Sequence, residues 1–214
     1  MPLKPFVRGD SYFASQRWTP FAHKDGLTTE DLVRELPIGF REVAGFSAND
    51  DCYWVITDFK LKGSDTVKIS FSVTAVCNVF GCYTNSSATT NYSLYVSTSS
   101  GDYLRYNGGA YSSVVDLNKR YDVTITPTGS IGMKVPKTWT QKSFTAASDM
   151  CIGTTSTGAS SASLKGSIYG RIEVVGRALF IPCERMEDGV MGYYDNVSDK
   201  FFAPAVGTPT EITS

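Results

Sequence analysis

The acidic residues are the first candidates for chemistry, because two of them on one strand face could act as a glycosidase pair. A retaining glycosidase places two carboxylates about 5–5.5 Å apart, as acid/base and nucleophile. Alternate positions of a strand share a face and would supply such a pair. Glu173 lies in a segment with strand periodicity, but Arg171 and Val175 occupy the alternate positions beside it. The other acid clusters are turn-like or helical, so the sequence predicts no glycosidase pair.

Nucleophilic catalysis would need a general base, and the chain has one histidine, His23, which precedes all the predicted strands. A serine or cysteine without a neighbouring base is a weak nucleophile at neutral pH. Neither a G-x-S-x-G sequence nor a P-loop occurs in the chain. We therefore expect a protein that is not an enzyme, with a glycan-active enzyme as the remaining catalytic alternative.

Cysteine thiols and carboxylates in loops are the candidate metal ligands. The five cysteines form no C-x-x-C pair, which is the spacing that zinc sites favour. Cys77 and Cys82 flank a predicted turn and could cross-link two strands, although buried free thiols are the preferred interpretation. Calcium could be held by loop oxygens of Asp50, Asp51 or Asp102, but no EF-hand loop is present. We predict no cofactor and leave calcium as the alternative.

Aromatic residues beside Gly- and Ser-rich turns are candidates for carbohydrate binding, because an exposed ring can stack on the apolar face of a sugar. The candidates are Tyr103, Tyr106, Tyr111 and Trp139. The alternative is that these rings belong to the rim or core of the domain, since tyrosine is common in strands.

Charge and composition exclude two classes of partner. Twenty basic and 21 acidic residues give a net charge of −1, without the basic stripe that phosphate-backbone binding needs. No segment approaches the roughly 18 consecutive apolar residues of a transmembrane helix. The N-terminus also lacks the apolar core of a secretory signal, so we expect synthesis in the cytoplasm without export by such a signal.

Residues 1–27 differ from the rest of the chain and predict an extended arm. They combine three prolines with several aromatic residues and show no sustained periodicity. Disordered linkers are normally poor in aromatics, so an arm that anchors to a partner surface fits the composition. The alternative is an arm that folds back on its own domain. The candidate anchors are Phe6, Arg8, Tyr12, Phe13, Trp18 and Phe21.

A short helix is predicted over residues 28–36, and strands follow it. Thr28 or Thr29 can cap the helix, and Pro37 ends it. Apolar and polar residues then alternate in several segments with turn signals between them. This pattern predicts an antiparallel β-sandwich over residues 37–214. The clearest alternating segments are 67–73, 92–96, 121–125 and 168–174.

The closing third of the chain carries a long ordered motif, which runs GSIYGRIEVVGRALFIPC, DGVMGYYD and KFFAPA from residue 166 to residue 205. Together with ELPIGF at 35–40 and YWVITDF at 53–59, it resembles concanavalin A-like, laminin-G-like jelly rolls of bacteriophage and prophage virion proteins. The resemblance spans about residues 35–208. It departs at Phe40, where those proteins usually have tyrosine, and near residues 205–208, where a GTG sequence is common.

That resemblance implies a jelly roll and a virion setting, but it does not specify a ligand. It implies a virion structural protein, present in multiple copies or as a homo-oligomer, with its arm on capsid or tail proteins. The jelly roll would then face outward and attach to a host-surface glycan or protein. The alternative is a capsid or tail decoration protein without a specific ligand. Within the motif, we expect Asp195 to be structural and to accept hydrogen bonds from turn amides.

Overall fold

The computed structural model describes residues 36–48, 52–84, 89–97, 101–113, 115–156 and 163–213. Within these ranges every regular element is a β-strand. The predicted arm at 1–27 and nearly all of the predicted helix at 28–36 lie outside them, and Leu36, the one helix residue described, is not helical.

The strands, numbered along the chain, are β1 (Phe40–Glu42), β2 (Gly45–Ala48), β3 (Tyr53–Ile56), β4 (Val67–Val73), β5 (Cys77–Cys82), β6 (Tyr92–Ser97), β7 (Gly101–Tyr106), β8 (Gly109–Ser113), β9 (Tyr121–Thr126), β10 (Gly129–Ile131), β11 (Met150–Ile152), β12 (Gly166–Val174), β13 (Ala178–Arg185), β14 (Val190–Asp195), β15 (Lys200–Phe202), β16 (Pro204–Val206) and β17 (Thr210–Glu211).

Two antiparallel sheets pack as a sandwich. The larger sheet follows the order β10-β9-β4-β12-β13-β14-β15, with β1, β2 and β17 attached to its middle. The smaller sheet follows the order β16-β3-β11-β5-β6-β7-β8. Alternation decides which side chains enter the core: along β4, Val67, Ile69 and Phe71 are buried, whereas Lys68 is exposed. The all-β, antiparallel prediction is therefore confirmed.

The larger sheet divides where β1 and β2 enter it. β1 pairs with β13, and β2, which follows after two residues, pairs with β12. The Val43 amide donates to the Pro182 carbonyl at 2.9 Å, and the Gly170 amide donates to the Ala44 carbonyl at 2.7 Å. Backbone hydrogen bonds therefore continue where the chain passes from β13 to β12, and β1 and β2 lie between these two strands.

Ion pairs join β1 to strands on both sides of this division. The Arg41 guanidinium donates to the carboxylates of Glu184 on β13 and Glu211 on β17, at 2.9 and 2.7 Å. Arg171 donates to Glu42 at 2.8 Å. These contacts join segments that are distant in the chain, and each pair is at least partly exposed, so each contributes modestly to stability.

The cysteines do not form the cross-link that was considered for Cys77 and Cys82. The predicted turn between them is wrong, because the whole CNVFGC segment is strand β5. Cys77 and Cys82 are five positions apart on an extended strand, which places their Cα atoms about 16 Å apart, well beyond disulfide reach. All five cysteines are free and buried, as the preferred interpretation had it.

Candidate functional site

Three of the four aromatic candidates meet at one end of the sandwich. The Trp139 ring lies 5.1 Å from that of Tyr106 and 5.0 Å from that of Tyr111, centroid to centroid. Tyr106 and Tyr111 are brought there by the β7–β8 hairpin, and Trp139 by the loop after β10. Tyr103 lies in β7, and the description of that residue stops at its backbone.

Tyr106 and Trp139 are interior residues. They are 1% and 8% exposed, and each directs its polar atom to a backbone carbonyl. The Tyr106 hydroxyl donates to the Gly63 carbonyl at 2.5 Å, and the Trp139 indole N–H donates to the Pro127 carbonyl at 3.0 Å. Their rings therefore pack in the core rather than standing free in a loop, as the alternative interpretation expected. Tyr111 is half-buried against the same core.

A ring that sequence reasoning missed lines the adjoining surface. Phe144 is half-buried, and its ring meets that of Tyr106 edge to face at 5.3 Å. It contributes to an open groove of about 430 Å³. We call this depression the Phe144 groove. It is lined by Lys62, Ser64, Gln141, Lys142, Ser143, Phe144 and Thr145.

Two chain segments build the Phe144 groove, and backbone hydrogen bonds hold them side by side. Lys62 and Thr145 are bridge partners, and the Gly63 amide donates to the Phe144 carbonyl at 2.9 Å. The approach is so close that a Cβ on Gly63 would lie 2.1 Å from the Lys142 carbonyl oxygen. Only glycine therefore permits this contact, and the two walls of the groove are fixed relative to each other.

A buried ion pair anchors the first wall. Asp65 is 4% exposed, accepts a hydrogen bond from the Lys62 amide at 2.7 Å and forms an ion pair with Arg177. Arg177 also donates to the Lys60 carbonyl at 3.2 Å, and its guanidinium lies over the Phe59 ring. Both hydrogen bonds, from the Lys62 amide and from Arg177, reach Asp65 Oδ2, and the paired cation offsets the cost of burying this charge.

The lining of the groove is basic and polar. The charged residues that line it are Lys62 and Lys142, both exposed, and no acidic residue is among its lining residues. The lining also contains the hydroxyl and amide side chains of Ser64, Gln141, Ser143 and Thr145. An aromatic surface with a few convergent polar groups is the usual chemistry of a small-molecule or saccharide subsite.

Glu173, the strand carboxylate singled out in the sequence, is paired with a cation. It is 5% exposed, and its Oε2 lies 2.8 Å from Lys68 Nζ. Its cross-strand neighbours are Lys68 on β4 and Leu179 on β13. Neither supplies a second carboxylate, so the local arrangement is that of an ion pair on the sheet rather than an acid/base pair.

The thiols have the character of core residues. Burial raises the pKa of Cys52, Cys82 and Cys183 to about 12, and that of Cys151 to about 11. A thiol with a raised pKa carries little thiolate at neutral pH and is a poor nucleophile or metal ligand. Across the described ranges, no three histidine, cysteine or acidic side chains come together as a metal group.

Several predicted residues lie outside the described part of the chain. The arm anchors Phe6, Arg8, Tyr12, Phe13, Trp18 and Phe21 are among them, as are the calcium candidates Asp50 and Asp51. Asp102 lies in β7, where the description covers the backbone alone.

The groove residues left little trace in the sequence. Residues 62–65 have the composition of a turn, and they do turn, but nothing in the sequence indicates that residues 141–145 lie against them. Phe144 is a single aromatic in a polar stretch without period-2 alternation. A single apolar residue in a polar loop is common on protein surfaces, so no signal in the sequence set Phe144 apart.

Comparison with known proteins gave no relative: neither the models of known protein families nor the curated proteins contain a match to this chain. In the described ranges, no helical segment has the length and apolar character that crossing a membrane demands.

Proposed function

We propose that this chain is a non-enzymatic binding protein that holds a glycan in the Phe144 groove. The observation that carries the proposal is the groove itself, which combines a half-buried aromatic ring with amide, hydroxyl and ammonium groups. A sugar presents an apolar face of C–H groups and a rim of hydroxyls, and both parts find a counterpart there. The rigid backbone pairing of the two walls lowers the entropy cost of binding.

We propose further that the sandwich is a concanavalin-like jelly roll of a bacteriophage virion protein. The residue motifs at 166–205 and the aromatic, proline-rich composition of residues 1–27 support this setting. The arm would attach the protein to the capsid or tail in multiple copies, and the groove would meet a glycan of the host surface. The protein would reach the virion from the host cytoplasm.

Glycan binding is tested with the full chain on an array of bacterial and eukaryotic glycans. We expect Phe144→Leu to weaken binding of any ligand found about three- to tenfold, because leucine keeps the apolar volume but loses the flat ring. Phe201→Leu is the matched control. Phe201 is also half-buried with ring contacts, to Phe40 at 5.2 Å, but it lies on β15 and is not among the residues that line the groove.

A flat array, or equal loss of binding in both variants, would contradict the lectin proposal. The virion setting has its own test, in which a chain without residues 1–27 is expected to fold but to fail to join particles. A truncated chain that still joins them would refute the anchoring role of the arm. Incorporation of the full chain together with a flat array would favour decoration without a ligand.

A further inference from the structure

We propose that the Phe144 groove selects anionic sugars, in which a carboxylate or phosphate lies beside Lys62 and Lys142. This inference rests on the proposed glycan-binding function and adds the class of ligand. Its basis is the composition of the lining, which includes two lysines and no acidic residue.

Asp65, the acidic residue closest to Lys62 along the chain, is paired with Arg177. Asp65 is three residues from Lys62, but its carboxylate is buried and bound to Arg177 and to the Lys62 amide. Its charge is balanced beneath the surface by the Arg177 guanidinium. The groove therefore keeps the positive potential of its two lysines, which a ligand of opposite charge would experience directly.

The positions of the two lysines are set by the fold. Lys62 is bridged to Thr145, and the Lys142 carbonyl packs against Gly63, so both side chains start from paired backbone on opposite walls. An ammonium group is a compact charge on a flexible stem and does not demand the planar geometry that a guanidinium does. The site should therefore accept a carboxylate or a phosphate and discriminate by charge.

A bound anionic sugar has a consistent placement in this groove. Its apolar face would rest on Phe144, its acidic substituent would lie between the lysines, and its hydroxyls would meet Gln141 and Ser143. A neutral sugar would keep the ring contact and the hydroxyl contacts but would leave both ammonium groups without a ligand partner. The difference in affinity between the two sugars therefore measures the contribution of the lysines separately from that of the aromatic contact.

The test measures the affinity of the full chain for three oligosaccharides of equal length: neutral, uronic acid-containing and phosphorylated. We expect at least one acidic ligand to bind about tenfold more tightly than the neutral one, since each exposed ion pair contributes about two- to fivefold. Lys62→Gln with Lys142→Gln should abolish that preference, and added salt should reduce it by screening. Lys200→Gln, an exposed lysine on β15 outside the groove, is the matched control.

The outcomes separate the two proposals. Neutral and acidic ligands that bind equally, with dependence on Phe144, would overturn the charge selection and keep the glycan-binding function. An acidic preference that survives in the double lysine variant would also overturn it, because the charge would then lie elsewhere. If no saccharide binds, both proposals fail. Preference for the uronate or for the phosphorylated ligand supports the inference in either case and identifies the source of the anion.

Discussion

Asp195 offers the sharpest test of how the closing strands are held together. It is 3% exposed and accepts four hydrogen bonds. The Leu179 amide on β13 donates to its Oδ1 at 3.1 Å, as does the Val197 amide at 3.1 Å. The Ser198 amide and hydroxyl donate to its Oδ2 at 3.2 and 2.5 Å. One carboxylate therefore links β13 to the turn between β14 and β15.

The loss of stability in Asp195→Ala depends on which of the amide donors can form a hydrogen bond to water instead. The Leu179 amide lies in a residue that is 4% exposed, so it would remain unpaired, at a cost of about 1–3 kcal/mol. Val197 and Ser198 are more accessible, and their amides would be hydrated at a smaller cost. We expect the free energy of unfolding to fall by about 2–4 kcal/mol in total. Asp195→Asn keeps an acceptor for Leu179 and should lose about half as much.

Urea unfolding monitored by tryptophan fluorescence and circular dichroism measures the change, with the denaturant slope checked for constancy. Asp122→Ala is the matched control, because its carboxylate is exposed on β9 and should change stability by less than about 0.5 kcal/mol. If Asp195→Ala were as mild as that control, or if Asp195→Asn were as damaging as Asp195→Ala, the assignment of Asp195 as a hydrogen-bond hub would be refuted.

Two further predictions concern the thiols and the surface carboxylates. At neutral pH the native protein should resist a thiol-specific reagent, because burial raises the pKa of thiols such as Cys52 to about 12. All five cysteines should react in denaturant. Rapid labelling of the native protein would contradict this prediction. Hydrogen bonds from arginines lower the pKa of Glu211 and Asp188 below their usual 4.5 and 3.8. The ionised carboxylates therefore stabilise the fold at pH values above their usual pKa. This stabilisation is lost as the pH falls through the lowered pKa values of the folded protein. Urea unfolding across this range should show that decline, and a less steep one in Arg41→Gln; identical profiles would contradict the role of the Arg41–Glu211 pair.

The strands with clean alternation of apolar and polar residues were predictable, because the pattern within each segment is enough to identify a strand with one buried face. Segment 67–73 coincides with β4, and 121–125 falls within β9. The structural role of Asp195 was also predictable, since an aspartate at a turn commonly accepts backbone amides. Its bond to Leu179 was not, because that contact depends on the pairing of β13 with β14.

Segments with uniform character were harder to interpret. The predicted turn between Cys77 and Cys82 is instead strand β5, which is buried on both faces, and a Cβ on Gly81 would lie 2.4 Å from Ser93 Cβ. A strand that is buried on both faces shows no alternation of apolar and polar residues, so its sequence has no period of two to identify it. The glycine reports close packing against β6 rather than a turn.

The sequence by itself determined the class of this protein, since period-2 alternation and frequent turn residues leave an antiparallel β-sandwich as the consistent solution. Only the tertiary structure decided that Tyr106 and Trp139 are interior rings and that Phe144 lines a basic groove. The physical reason is that burial and proximity arise from backbone pairing between distant segments, such as Lys62 with Thr145, which no local pattern encodes.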